Sequence, residues 1–244
     1  MPKIVLEVAI ESIADAQIAF SGGADRLELC SALDLGGLTP SLGMYEEIRL
    51  VVPIPIVVMI RPRSGDFVYD EDEIGAMRRD IEHFLPFKPD GFVFGVLTPD
   101  ATIHESACRK LTEAAQGTPC IFHRAFDKTR NNRQALEECV SLGFTRVLSS
   151  GRASTALSGL TNLQKLHGLA QGRIGILPCG KVRALNVGEI LRMADFPEVH
   201  GSFAEPLPEP TDPGATGYVR RSRTSRDAVA ACRAVLDTIA LAKD

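Results

Sequence analysis

The sequence predicts an α/β fold, a single (β/α)8 TIM barrel with a C-terminal arm and a terminal helix. Short apolar runs rich in Val, Ile, Leu and Phe alternate along the chain with helix-like stretches, as expected for parallel strands whose outer face is covered by helices. The starts of these runs are spaced by about 20 to 35 residues, the length of one βα unit. The chain has 244 residues, and barrels of this class typically have about 250.

The predicted strands begin near the N-terminus and recur through most of the chain. They are Ile4–Ile10, Arg26–Cys30, Ile56–Arg61, Gly91–Phe94, Pro119–His123, Arg146–Ser149, Arg173–Pro178 and Glu198–Gly201. An open doubly wound sheet is the alternative architecture. The barrel is favoured because the units are regular in length and because no Gly-x-Gly-x-x-Gly motif follows the first strand.

Amphipathic or glycine-terminated stretches between the strands predict helices. They include Ile13–Ser21, Asp72–Leu85, Gln134–Leu142 and Leu185–Ala194. Ser41 is a predicted helix N-cap, since a serine hydroxyl accepts from a free backbone N–H group of the first turn.

We assign residues 1–205 to the barrel and residues 206–244 to an arm and helix packed on the same domain. Residues 206–225 are rich in Pro, Gly and Arg and predict a long loop or ordered arm. The last helix is predicted at about Arg226–Ala242. Two interpretations of the arm stay open at this point: a segment that covers a barrel end or a neighbouring subunit, and a solvated linker.

Composition excludes several classes of function. The chain has 27 basic and 31 acidic residues and a net charge of −4, so nothing favours nucleic acid or an anionic membrane surface as a partner. No apolar run approaches the roughly 18 residues of a membrane span, and no signal peptide is apparent. The six cysteines lie far apart with no Cys-x-x-Cys pair, which predicts reduced thiols in the cytoplasm.

Polar residues occur near the ends of several predicted strands, where a barrel interior normally needs Val and Leu. Inward-facing groups at the C-terminal ends of the strands face the active site of a barrel enzyme. Two carboxylates, a guanidinium, two imidazoles and a thiol would meet there, a set suited to acid/base chemistry. The candidate catalytic residues are Glu7, Glu28, Arg61, His123, Asp127 and His200, with Cys30 and Met59 on the same strand faces.

Each of these residues also has a structural interpretation. Glu7 and Arg61 suit a buried ion pair inside the barrel. His123 suits a core histidine with its hydrogen bonds satisfied, and Cys30 suits a small buried hydrophobic residue. The combination at one end of the barrel favours a functional site.

The loops after the strands suggest an anion site at the same end. Two arginines of the loop after the third strand suit bidentate binding of a phosphate or carboxylate, and the loop after the sixth strand offers backbone N–H groups. The candidate anion-binding residues are Arg61, Arg63, Arg124, Ser149, Ser150 and Gly151.

Seven segments together resemble the CutC copper-homeostasis family. They are Leu6–Val8, Gly22–Ser31, Leu35–Ser41, Val58–Phe67, Gly91–Leu97, Phe122–Asp127 and Val147–Gly151. The resemblance implies a cytoplasmic barrel that forms homo-oligomers, usually dimers, and a role in copper homeostasis through Cu(I) binding. Because Cu(I) prefers thiolate, thioether and imidazole ligands, the candidate metal ligands are Cys30, His123 and His200, with Met59 and Cys179 as further possible ligands. No organic cofactor is expected.

The sequence departs from the family pattern in two places. Ala9 stands where members often have a cysteine, and Cys179-Gly180-Lys181-Val182 stands where members often have Gly-Gly-Gly-Val. The first change removes one soft ligand, and the second alters a loop that holds phosphate in many barrels.

Two functions of different class therefore stay open. The first is Cu(I) binding, for which soft thiolate and thioether ligands are preferred. The second is acid/base catalysis on a small phosphorylated or carboxylated metabolite, which accounts better for the carboxylates and arginines. A binding barrel without catalytic activity is a third interpretation.

Overall fold

Eight parallel strands form the barrel in the computed structural model, which describes residues 3–207 and 222–242. The strands are β1 Val5–Ile10, β2 Arg26–Leu29, β3 Ile56–Met59, β4 Gly91–Phe94, β5 Cys120–Phe122, β6 Arg146–Ser149, β7 Gly175–Pro178 and β8 Glu198–Gly201. Each consecutive pair from β1 to β7 is hydrogen-bonded, and β8 pairs with β1. β7 and β8 lie side by side without a hydrogen-bonded ladder. The (β/α)8 barrel is confirmed, and the pairing of β8 with β1 rules out the open doubly wound sheet.

In the described part of the chain, eight α-helices surround the strands. They are α1 Ile13–Ser21, α2 Leu42–Val51, α3 Glu71–Phe84, α4 Glu105–Ala114, α5 Asn132–Ser141, α6 Leu160–Ala170, α7 Ala184–Met193 and α8 Arg226–Ala242. The predicted N-cap at Ser41 is confirmed, because its Oγ accepts from the backbone N–H of Met44 at 3.2 Å. None of the described helices combines the length and the apolar character needed to cross a bilayer.

The terminal helix α8 occupies the eighth position of the outer ring. It packs against α7 and α1 and buries Val229, Cys232 and Leu236. Arg233 of α8 donates to the backbone carbonyl of Ile4 and to the Asp25 carboxylate, both at 2.8 Å. The helix expected as an addition to the barrel is therefore one of its eight helices.

A short antiparallel ribbon precedes α8. Its strands are β9 Ala204–Pro206 and β10 Ser222–Thr224, and the residues between 207 and 222 lie outside the described part of the chain. The backbone N–H of Thr224 donates to Asp15 of α1 at 2.9 Å. The ends of the predicted arm thus form a ribbon beside the barrel mouth, which the sequence did not predict.

The strand register places a charged side chain on the inner face of several neighbouring strands. Glu7 lies opposite Arg26 on one side and opposite His200 on the other. Side chains alternate between the two faces of a strand, so Glu28 and Glu198 share the inner face with them. A second group of interior residues forms an apolar cluster, which consists of Cys30, Val57, Met59, Val93, Ile121, Leu148, Leu177 and Cys179.

Candidate functional site

A cavity of about 400 Å³ lies at the C-terminal ends of the strands, where barrel enzymes carry their active sites. Its wall combines acidic, basic, imidazole and sulfur-bearing side chains, with the ribbon residues Ala204 and Ser222 at its edge. Those that bear on function are Glu28, Cys30, Met59, His123, Arg124, Cys179, Lys181 and His200.

Arg26 links two glutamates beneath this cavity. It donates from Nε to Glu7 and from Nη2 to Glu198, and all three side chains are buried. Burial alone would raise the pKa of Glu7, but the charge of Arg26 and the hydrogen bond from His200 outweigh it and hold that pKa far below its usual range. Glu7 is therefore a carboxylate, with Arg26 as its counter-ion.

His200 connects Glu7 with Glu28. Its Nδ1 lies 2.8 Å from Glu7 Oε1, and its Nε2 lies 3.7 Å from Glu28 Oε2. Burial favours the neutral imidazole, yet Glu28 and Glu7 outweigh that effect and raise the pKa of His200. Because a carboxylate only accepts, Glu7 fixes the proton on Nδ1 and directs Nε2 at Glu28.

Glu28 is a buried carboxyl group without full hydrogen bonding. Burial raises its pKa, and the nearby Glu7 carboxylate adds to the increase while His200 opposes it. Its Oε1 has no hydrogen-bond partner among the described residues. A carboxyl with a raised pKa at a cavity wall is the usual setting of a general acid or base.

Cys30 lies beside Glu28, with Sγ 3.6 Å from Glu28 Oε2. Burial and the Glu28 carboxylate raise the pKa of this thiol well above its usual value, so the sulfur is protonated at neutral pH. A Cβ at Gly37 would lie 3.1 Å from Cys30 Sγ and 3.5 Å from Met59 Cε. A glycine at position 37, with φ +83°, thus allows the loop to pass close to both sulfur-bearing side chains.

His123 is a neutral imidazole. Burial and the charge of Arg61 lower its pKa to about 3, and its ring packs 4.8 Å from that of Phe67. Nδ1 accepts from the backbone N–H of Ala125 at 3.3 Å, which leaves the proton on Nε2. That nitrogen has no partner among the described residues and is available to a bound ligand.

Arg61 and Arg63 do not converge on a common anion site. Arg61 is buried and donates to the backbone carbonyls of Leu35, Gly37 and Gly65 at 2.9 to 3.1 Å. It therefore holds two loops together, and the alternative Glu7–Arg61 ion pair is wrong, since Arg26 takes that place.

Arg63 donates to Glu73 and to Asp66, so it is bound to the start of α3 and does not line the cavity.

The N–H groups of the loop after β6 already bind a carboxylate of the chain. Asp127 accepts from the backbone N–H groups of Ser150 and Arg152 at 2.8 and 3.1 Å, and from both serine hydroxyls. The N–H of Gly151 donates to Ser149 Oγ at 2.9 Å. This differs from the expected external anion site at Ser149–Gly151, because Asp127 fills it.

The structure thus brings together Glu7, Glu28, Cys30, His123 and His200, with Arg124 at the rim. Sequence reasoning did not identify Arg26 and Arg146 as members of the site. Arg26 shares the inner face of β2 with Glu28, two residues away, and this period-two spacing was an available signal. Arg146 Nε lies 3.9 Å from Glu198 Oε1. Arg146 and Glu198 are the first residues of β6 and β8, so this pair lies at the N-terminal ends of the strands.

Fold and site define a (β/α)8 barrel protein with a cavity at the C-terminal ends of its strands, lined by both charged and apolar side chains. The family model described as the CutC family matches residues 4–205, and the chain belongs to that family.

Similar proteins come from animals and bacteria. A human copper homeostasis protein cutC homolog is 43% identical over 198 residues, covering 81% of this chain and 72% of the human one. A CutC family protein of Vibrio campbellii is 47% identical over 197 residues and 80% of each chain. The crystal structure of CutC from Streptococcus agalactiae superposes with a TM-score of 0.78 at 33% identity, covering 82% of this chain and 98% of that chain.

The two positions at which we expect a departure from the family pattern, Ala9 and the loop at Cys179, both lie at the cavity. Ala9 and Cys179 are lining residues, so the thiol of Cys179 faces the same cavity as that of Cys30. Burial raises the pKa of Cys179, and this effect outweighs the nearby charge of Arg124.

Proposed function

We propose that the chain is an enzyme that uses Glu28 and His200 for acid/base chemistry on a small anionic molecule bound in the cavity. The observation that carries this proposal is the Oε1 atom of Glu28, a buried carboxyl oxygen without a described partner at the cavity wall. Buried polar atoms normally have hydrogen-bond partners. A bound ligand would supply the missing partner and would place a reacting atom against the carboxyl.

The charged network below the cavity prepares this pair for proton transfer. Arg26 keeps Glu7 ionised, Glu7 holds the Nδ1 proton of His200, and Nε2 then faces Glu28. The pKa of Glu28 and that of His200 are both raised, so each side chain can hold a proton. We infer that the two groups share one proton, which moves between Glu28 and Nε2 of His200. Glu28 is the catalytic residue that would take or give this proton, and Glu7 and Arg26 are positioning residues.

Neutral His123 has a complementary role across the cavity. With Nδ1 accepting from Ala125, its Nε2–H donates to a ligand oxygen. Because the pKa of His123 is lowered to about 3, the imidazole stays neutral throughout the physiological range. It polarises a carbonyl or hydroxyl of the substrate while Glu28 transfers the proton.

Metabolite profiling tests this function because it requires no choice of substrate. The protein is incubated at pH 7 with a small-molecule cell extract, and anionic compounds are followed by mass spectrometry. Wild type should convert at least one compound, and Glu28→Gln should slow that conversion by about 100-fold or more. Glu189→Gln, an exposed change on α7, should behave as wild type. An extract left unchanged by wild type would contradict the proposal.

Cu(I) binding is a second candidate function, favoured by the sulfur content of the cavity. Cys30, Met59 and Cys179 all line it, together with His123 and His200, and thiolate, thioether and imidazole are suitable Cu(I) ligands. The thiol of Cys30 would have to lose its proton, and Glu28 at 3.6 Å is positioned to accept it. The hard oxygen ligands Glu7 and Glu28 fit Cu(I) less well than this sulfur set.

Titration of the reduced protein with Cu(I) against a competing chelator tests this alternative. Stoichiometric binding that disappears in Cys30→Ala but persists in Cys232→Ala, a buried thiol of α8, would support Cu(I) as a ligand. Equal binding by the wild type and both variants would exclude a Cys30-dependent copper site.

We also propose that the chain works as a homodimer in the cytoplasm. All six cysteines are buried free thiols, which fits a reducing compartment. Leu50 is 79% and Phe87 39% exposed, and both line one shallow surface groove, a feature typical of interfaces. Light scattering should give a dimer mass for wild type and a monomer mass for Leu50→Glu. A monomer mass for the wild-type protein would contradict the dimer.

A further inference from the structure

The cavity has two chemically different sides. Glu28, Cys30 and His200 lie on β2 and β8, whereas Arg124 and Lys181 follow β5 and β7. We propose that Arg124 and Lys181 form an oxyanion clamp that binds a terminal phosphate or carboxylate group of the ligand. The inference rests on the proposed function, because the clamp would hold the anionic end of the molecule on which Glu28 acts.

Arg124 is fixed along one edge and open along the other. Its Nη2 donates to Ser150 Oγ at 3.0 Å, and its Nε lies 3.7 Å from Asp127 Oδ2. Within residues 3–207 and 222–242, no group is paired with its Nη1 atom. The side chain is 49% exposed while lining the cavity. The guanidinium is therefore held in place and still has donors available to an anion.

Lys181 is held by its backbone with the side chain left free. Its carbonyl accepts from Asn186 Nδ2 at 2.9 Å, and Asn186 Oδ1 accepts from the backbone N–H of Arg183 at 2.9 Å. The residue has φ +55°, a left-handed conformation that is unfavourable for lysine. The described part of the chain provides no partner for Nζ. An exposed, unpaired cation kept at a strained position beside a cavity suggests a binding role.

The loops that carry the two cations meet at Ser150. A Cβ at Gly180 would lie 3.2 Å from Ser150 Cβ, and Ser150 Oγ accepts from Arg124. The loops after β5, β6 and β7 therefore form one corner of the rim. In many barrels the phosphate of the substrate binds at the loops after strands 7 and 8, which agrees with the position of Lys181.

Calorimetric titration with inorganic phosphate, and in parallel with malonate, tests the clamp independently of catalysis. The wild-type protein should bind at least one of the two, and the preferred anion distinguishes phosphate-bearing from carboxylate-bearing ligands. Lys181→Met and Arg124→Gln should each weaken binding by about tenfold or more. Lys165→Met, which removes an exposed charge on α6 away from the cavity, should not.

Glycine substitutions separate the charge of Lys181 from its backbone strain. Both Lys181 and Gln171, which follows α6, have a left-handed backbone, with φ +55° and +50°, so a glycine at either position should raise Tm. Lys181→Gly should also weaken anion binding, whereas Gln171→Gly should leave anion binding unchanged.

The clamp is overturned if wild type binds neither anion, or if Lys181→Met binds as wild type does. Equal weakening in Lys165→Met would also overturn it. Glu28→Gln should retain anion binding. Wild-type protein that binds the anion through Lys181 but converts no compound would refute the proposed function alone, whereas turnover without Lys181-dependent anion binding would refute the clamp alone.

Discussion

His200 Nδ1 lies 2.8 Å from Glu7 Oε1, and this contact joins the ionic network below the cavity to His200 and Glu28 at its wall. Glu7 in turn pairs with Arg26, which also pairs with Glu198. Charges from three neighbouring strands, β8, β1 and β2, are thus balanced inside the barrel. Such an arrangement tolerates the loss of any member poorly.

Replacing Glu7 by Gln should destabilise the protein by about 3 to 5 kcal/mol, because Arg26 loses one of its two buried counter-ions. Urea unfolding measures the change. Glu82→Gln breaks an exposed pair with Arg78 on α3 and should change the free energy of unfolding by less than about 0.5 kcal/mol. Similar small effects of both substitutions would mean that the inner network does not stabilise the barrel.

The lowered pKa of His123 predicts that the protein loses stability in acid. That pKa is lowered from 6.5 to about 3 by burial and by Arg61. Below pH 6.5 His123 is protonated in the unfolded chain but stays neutral in the folded chain. The free energy of unfolding therefore falls as the pH decreases toward 3. His123→Asn, which keeps an acceptor for the Ala125 N–H, should flatten this dependence between pH 6.5 and 4.

The matched control is His83→Asn, an exposed change near the end of α3, which should keep the wild-type slope. Denaturant unfolding at several pH values provides the comparison. An unchanged slope in His123→Asn would show that His123 is not the titrating group.

Gly95 should not accept a side chain. An added Cβ would lie 2.8 Å from His123 Nδ1 and 2.9 Å from Phe122 Cε1, so Gly95→Ala should displace the imidazole and lower stability by about 1 to 3 kcal/mol. Gly43→Ala, in open space on α2, should instead stabilise by up to about 1 kcal/mol. Thermal unfolding distinguishes them, and a neutral or stabilising Gly95→Ala would refute the predicted close packing.

The strands were largely predictable from sequence, because their apolar runs are bounded by glycine, proline and charged residues. Three predicted strands, Gly91–Phe94, Arg146–Ser149 and Glu198–Gly201, have the observed bounds, and the other five differ by one or two residues at one or both ends. The ribbon was not predictable, since β9 and β10 are three residues each, are separated by a proline- and arginine-rich stretch, and show no local alternation.

The site was predictable as a set of residues but not as a set of pairs. Period-two alternation placed Glu7, Glu28 and His200 inside the barrel, yet the partner of Glu7 depends on strand register. Arg61 does not pair with Glu7 inside the barrel, because its guanidinium donates to three loop carbonyls. Asp127 accepts from the backbone N–H groups of the loop after β6, because buried N–H groups also need partners. Neither set of hydrogen bonds can be predicted from the local sequence.

The protonation of His200, observed by nitrogen-15 NMR of labelled imidazoles across pH 5 to 9, tests the central claim most directly. We expect a proton on Nδ1 at all these pH values and a titrating Nε2. The pKa of His200 should fall in Glu28→Gln, since the Glu28 carboxylate raises it. A neutral imidazole with its proton on Nε2, or a titration unaffected by Glu28→Gln, would contradict the assignment of Glu28 and His200 as one acid/base pair.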